Sequence, residues 1–175
     1  MLHSMTTKPL SPSSPAGPAA VDLPRAFTSS AYASLRTFKR DGSPVDCPIW
    51  FAWSDDGRTI WFRSKTDTMK VRRLRRDERI ELRPSNWRGA VRADAPVLVG
   101  VARVLNDGDA EARDAEIHLH RRYGWQWYTM PLFRIPGTHT VKLDLSLLDK
   151  IRIIRAKRPL PDSSLVGISL ASTQG

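Results

Sequence analysis

Cysteine is almost absent: of 175 residues only Cys47 could pair in a disulfide or ligate a soft metal. An intrachain disulfide framework and a multi-cysteine zinc site are excluded, and a reducing cytoplasm is the expected compartment. Long apolar runs are missing too. The longest, from Ala95 to Ala102, has eight residues, against roughly 20 for a membrane-spanning helix. The sequence contains no GxGxxG, P-loop, HExxH or GxSxG signature, so the commonest nucleotide, zinc-protease and serine-hydrolase chemistries have no local carrier.

Positive charge is in excess. Net charge is +10, with 21 Arg against 7 Lys. Between Arg63 and Arg92 stand eleven basic and four acidic residues, which concentrates +7 of the total in one stretch. Clustered arginine points to an anionic partner: a nucleic acid, an anionic membrane, or a small molecule bearing phosphate or carboxylate. A solvated surface is the competing reading, and position along the chain decides between them.

Residues 1–26 form a Pro- and Ser-rich stretch without apolar periodicity, expected to be a disordered extension. It has no apolar segment of the kind a secretory signal carries. Residues 27–156 read as one domain and 157–175 as a C-terminal tail. Turns at Arg40-Asp41-Gly42-Ser43 and Ser54-Asp55-Asp56-Gly57 bracket a strand in which Val45, Cys47, Ile49, Phe51 and Trp53 alternate with the residues between them. Ile80 and Leu82 mark a further strand. His139 to Leu147 marks another, with a last one expected at Ile151 to Ile154. Ala95 to Leu105 is apolar on both faces, as a central strand would be. Two helices interrupt the strands: one from Asp67-Thr68 to about Asp77, the other from an N-cap at Asp109 to a stop at Gly124. The order predicts a mainly β, α+β fold with two helices, an antiparallel sheet or barrel.

His118 and His120 stand two apart on the second helix, so they face different directions and do not chelate together. Both are expected at the surface. Cys47 falls on the buried strand face and reads as a packed thiol. Tyr123, Trp125, Trp127 and Tyr128 cluster after the second helix, as a core or subunit contact or as a lid over a flat ligand. No metal site is expected.

The strand ending Phe62-Arg63-Ser64 leads through a short turn to a helix opening Asp67-Thr68-Met69-Lys70. Hydroxyls at Ser64 and Thr68 beside a helix start outline a phosphate site. Lys70, Arg72 and Arg73 follow in the first turn, where the helix dipole disfavours cations unless an anion is bound.

Leu35-Arg36-Thr37, Asp41-Gly42-Ser43-Pro44 and Pro48-Ile49-Trp50-Phe51 resemble the opening hairpin of the pyridoxamine-phosphate-oxidase-like proteins, and Trp61 to Arg76 resembles their phosphate-binding strand-turn-helix. The resemblance covers roughly Phe27 to Leu147. It implies an antiparallel split β-barrel of the FMN-binding type, a homodimer with the cofactor between subunits, and a flavin or deazaflavin as that cofactor. True pyridoxamine-phosphate oxidases carry an Arg and a Lys on the second strand where this chain has Cys47 and Ala52. The Pro48-Ile49-Trp50 stretch and the basic helix look more like the branch that uses the deazaflavin coenzyme F420. By that resemblance Ser64, Thr68 and Lys70, with Arg63, hold the phosphate. Arg72 and Arg73 reach the oligoglutamate tail, and the backbone at Pro48, Ile49 and Trp50 faces the ring system.

The expected function is hydride transfer between a bound deazaflavin and an organic acceptor, with the chemistry carried by the cofactor and no catalytic acid or base assigned. An FMN-dependent oxidase or flavin-binding protein of the same fold is the first alternative. Cofactor storage without turnover is another. A nucleic-acid-binding β-barrel is the alternative of a different class, and the scarcity of aromatics within the basic run weighs against it.

Overall fold

The computed structural model describes residues 23–124 and 162–171. The elements are α1 (Arg25–Thr28), β1 (Tyr32–Phe38), β2 (Pro44–Trp50), β3 (Ala52–Trp53), β4 (Thr59–Lys65), α2 (Met69–Leu74), β5 (Arg79–Ser85), β6 (Leu98–Val104), α3 (Ala110–Tyr123) and β7 (Ser163–Leu170). The seven strands make one sheet in the order β2-β1-β5-β6-β7-β4-β3, with every neighbouring pair antiparallel. β2 and β3 are nearly continuous in the chain, separated by Phe51 alone, yet they occupy opposite edges of the sheet. The sheet therefore curls until its edges meet at Phe51. This is the split barrel, mainly β with short helices, that the sequence predicts.

Alternation along the strands fills the barrel. Leu35, Ile49, Ile60, Phe62, Ile80, Leu82, Val166 and Ile168 are all buried in one cluster, closed by Phe27 and Leu74 from α1 and α2. A second cluster lies on the outer surface of β3, β4 and β7. There α3 lays down Ala112, Ala115, Leu119 and Tyr123, the i, i+3, i+7 stripe of an amphipathic helix, over Ala52, Trp61 and Leu165. Asp109 and Gly124 bound α3 where the sequence places them, Gly124 at φ 56°.

Three differences from the sequence reading have physical causes. Residues 163–170, read as part of a C-terminal tail, form β7 and pair with both β4 and β6. The strand read as continuous from Val45 to Trp53 breaks at Phe51, where it passes from one sheet edge to the other. β6 is not buried on both faces: Val99 and Val101 are 52% and 50% exposed, because α3 covers the barrel only over β3, β4 and β7. The strands expected at His139 to Leu147 and Ile151 to Ile154, and the aromatics Trp125, Trp127 and Tyr128, lie outside the described residues. Among the described residues no helix is long and apolar enough to cross a membrane.

Candidate cofactor site

β4 alternates Ile60 and Phe62 into the barrel with Trp61 and Arg63 toward α3, so Ser64 falls on the inner side at the barrel rim. The turn after it is tied to β7: Thr66 N–H donates to Asp162 O at 2.8 Å, and the Thr66 and Ser164 hydroxyls stand 2.9 Å apart. This turn brings the Ser64 and Thr68 hydroxyls to 3.1 Å from each other. Thr68 occupies the N-cap position of α2 but makes no side-chain cap, because its hydroxyl donates to Lys65 O at 2.9 Å. The amides of the first turn are thus left without the side-chain acceptor that such a residue ordinarily provides. Lys70 follows, half-buried, and has no carboxylate partner among the described residues.

The other predicted cations are deployed differently. Arg63 points away from Ser64, its side chain only 9% exposed beneath α3. It donates through Nε to Glu116 Oε1 at 2.8 Å, through Nη2 to the same oxygen, and through Nη1 to the Ser163 hydroxyl at 2.7 Å. The structure thus separates Arg63 from the Ser64–Thr68 pair, a correction that strand alternation explains. Arg73 is turned inward, with Nε donating to the buried Thr37 hydroxyl at 2.8 Å, and does not share an exposed face with Lys70. Arg76 spends Nη2 on Phe38 O at 2.7 Å, so α2 and the residues after it fasten the end of β1. Arg72 remains exposed.

Pro48, Ile49 and Trp50 lie on β2, which among the described residues is an edge strand paired with β1. Its outer edge carries no backbone ladder from any other described strand. Ile49 sits in the core and Trp50 stacks on Tyr123 at 4.4 Å, which leaves Pro48 as the outward side chain. Cys47 packs against the core with its thiol 3.7 Å from Leu35 O, and Ala52 is enclosed beneath α3. The two positions, placed on one strand in the sequence reading, fall on β2 and β3 at opposite edges of the sheet.

His118 rests against the Trp61 ring at 5.2 Å, and His120 is exposed. Among the described residues no group of three or more His, Cys, Asp or Glu could hold a metal.

One feature escaped sequence reasoning. On the outer face of the barrel a polar cleft of about 190 Å³ gathers Ser34, Arg36, Asp46, Glu81 and Arg83 from three strands. Alternation places each on the outer face of its own strand. Only the register, Ser34 opposite both Pro48 and Arg83, brings them together.

A family model described as pyridoxamine 5′-phosphate oxidase matches residues 23–145. Comparison with curated proteins returns no match. Among solved structures, the haem storage protein HutZ of Vibrio cholerae is similar at TM-score 0.55 and 13% identity, over 86% of this chain and 87% of that one. A candidate 5-nitroimidazole antibiotic resistance protein of Bacteroides thetaiotaomicron is similar at TM-score 0.53 and 14% identity, over 85% and 77%. Protein Rv2991 of Mycobacterium tuberculosis is similar at TM-score 0.50 and 21% identity, over 83% and 76%. At such identities the likeness is one of fold. The family match, the split barrel and the strand-turn-helix at Ser64 agree, and the chain belongs to the pyridoxamine 5′-phosphate oxidase family.

Proposed function

We propose that this chain is an oxidoreductase that binds coenzyme F420 and exchanges a hydride between it and an organic acceptor, working as a homodimer in the cytoplasm. The observation that carries the reading is the Ser64–Thr68 hydroxyl pair, 3.1 Å apart, at the start of a helical turn without a side-chain cap and followed by Lys70. Thr68 donates to Lys65 O and caps no first-turn amide, and Lys70, two residues on, has no ion pair among the described residues. A phosphate fits both facts.

When bound, the deazaflavin supplies the carbon that takes up or gives up the hydride. The chain's residues would hold and orient: Ser64, Thr68 and Lys70 at the phosphate, Arg72 toward the tail carboxylates, and the outer backbone edge at Pro48 to Trp50 along the ring. The exposed valines of β6 support the homodimer, since a second copy would cover them.

FMN is the second reading, and a specific observation favours it. Arg73 and Arg76 are spent on Thr37 and Phe38, so fewer guanidinium groups remain for an oligoglutamate tail than the sequence suggests. Titration of the protein with each cofactor across a salt series decides. F420 binding should loosen with salt and with Arg72→Ala, while FMN binding changes less. FMN binding as tight or tighter at every salt concentration overturns the deazaflavin reading and leaves FMN in its place.

A further inference from the structure

The β1–β2 hairpin sets which way each peptide of β2 faces. Across its turn Lys39 N–H donates to Ser43 O at 2.9 Å, and the register then puts Thr37 opposite Val45, Leu35 opposite Cys47 and Ala33 opposite Ile49. Bonded and unbonded pairs alternate along an antiparallel ladder. Val45, Cys47 and Ile49 therefore exchange hydrogen bonds with β1, while Asp46, Pro48 and Trp50 turn their backbone groups toward the outer edge. Proline has no N–H. Within the Pro48–Trp50 segment assigned to the cofactor ring, Trp50 N–H is thus the one backbone donor on that edge.

The next bonded pair in this register is Ala31 with Phe51, and a side chain completes it. The Tyr123 phenol accepts from Phe51 N–H at 2.9 Å and lies 2.9 Å from Ala31 O, which it can reach as donor. The same ring stacks on the Trp50 indole at 4.4 Å, and Tyr32, opposite Trp50 on β1, meets that indole edge-on at 5.8 Å. The peptide before Trp50 is held by the Ala33–Ile49 rung and the peptide after it by the end of α3. The phosphate-binding residues have no part in this, because Ser64, Thr68 and Lys70 belong to β4 and the start of α2.

We propose that Tyr123 is a positioning residue for the cofactor ring: by standing in the Ala31–Phe51 rung it aims Trp50 N–H outward, where that donor meets a carbonyl oxygen on the edge of the ring system. The inference rests on the oxidoreductase reading. It holds for F420 and FMN alike, since both present carbonyl oxygens along one edge of the ring. Removing the hydroxyl leaves an aromatic ring to stack on Trp50 and releases the Phe51 peptide, so the donor keeps its chemistry and loses its aim.

The test titrates the full chain with F420 and with FMN, reading affinity together with the visible absorption and circular dichroism of the bound ring at saturation. Tyr123→Phe should weaken both cofactors roughly tenfold, the scale of one hydrogen bond, and move the bound-ring spectrum toward that of free cofactor. Lys70→Ala should weaken binding and leave the bound-ring spectrum as it is. Ile80→Val is the stability control and should change neither, because Ile80 sits in the barrel core next to Glu81, which pairs with Arg36 toward the other end of β1 from Tyr32. A merely structural Tyr123 would behave like that control, with lower stability and an unaltered spectrum. Amide hydrogen exchange in the unsubstituted protein depends on no variant: saturation with cofactor should slow exchange at Trp50 about tenfold or more. A Trp50 amide no better protected in the saturated protein, or a Tyr123→Phe spectrum identical to the parent's, overturns the positioning role and leaves the oxidoreductase reading standing. Failure of the parent to bind either cofactor overturns that reading, and the positioning role with it.

Discussion

The Tyr123 hydroxyl lies 2.9 Å from the amide nitrogen of Phe51 and 2.8 Å from its carbonyl oxygen. Phe51 is where the chain leaves one edge of the sheet and joins the other, so it belongs to no strand. Its buried N–H and C=O would otherwise go unpaired. One phenol at the end of α3 replaces the missing ladder: it accepts from Phe51 N–H and donates to a carbonyl, with Phe51 O and Ala31 O both in reach. The seam of the barrel is thus held from outside by the helix.

Tyr123→Phe should therefore cost more than a routine hydroxyl deletion. It leaves two backbone groups of Phe51 enclosed without partners, at about 1–3 kcal/mol. Denaturant unfolding of the two proteins checks this. A loss below about 0.5 kcal/mol would show that the seam does not depend on the phenol.

Burial holds the Tyr123 phenol above its ordinary value of 10.0, partly offset by the Phe51 N–H and Arg122, which favour the phenolate. A raised folded-state value means that the fold prefers the neutral phenol. Its stabilising share is complete below the unfolded value and is lost as pH rises through the folded one. Stability should fall as pH rises above about 10, and Tyr123→Phe should lose less over that range. Equal alkaline loss in both proteins would assign the effect to other groups.

Much of this arrangement was legible in the sequence. The Ala112, Ala115, Leu119 stripe, the Asp109 and Gly124 boundaries and the Ser64–Thr68 approach all follow from local periodicity. β7 carried the same kind of signal, with Val166, Ile168 and Leu170 alternating. Its place between β6 and β4 depends on pairing over a long sequence separation, which no local pattern encodes. The fates of Arg63 and Arg73 were hidden for the same reason. An arginine reads as a surface charge until the fold brings Glu116 or Thr37 beside it.

Arg73 and Arg72 are neighbours with opposite expectations. Arg73 is buried and gives Nε to Thr37, itself fully enclosed, whereas Arg72 is exposed. Arg73→Ala should destabilise the protein by about 1–3 kcal/mol. Arg72→Ala should stay within about 0.5 kcal/mol of the parent. Calorimetry on the cofactor-free proteins separates the two. Equal stabilities would return Arg73 to the surface role that the sequence suggests.

Lys70 should affect binding and not folding. It has no ion pair among the described residues to lose, and it stands two residues beyond the Thr68 hydroxyl. Lys70→Ala should weaken cofactor binding by about 1.5–3 kcal/mol, the worth of a charge-assisted hydrogen bond. Its unfolding midpoint without cofactor should match the parent. Unchanged affinity would remove Lys70 from the site.

The outer face of β6 gives the sharpest test of assembly. Val99 and Val101 are about half exposed on adjacent outward positions of one strand, with Val97 at 44% just before it. Isolated surface valines are ordinary, but three in register form a stripe that water covers at a cost. A stable homodimer buries on the order of 2,000 Å² with an apolar centre, and this stripe suits that centre. Light scattering at micromolar protein should give about twice the 19.7 kDa chain mass. Val99→Lys/Val101→Lys places two charges where the partner would desolvate them, and should return the mass to that of one chain. Because the side chains point away from the barrel core, circular dichroism should show the sheet retained. A parent protein already monomeric at that concentration, or a double variant still dimeric, would move the interface off β6.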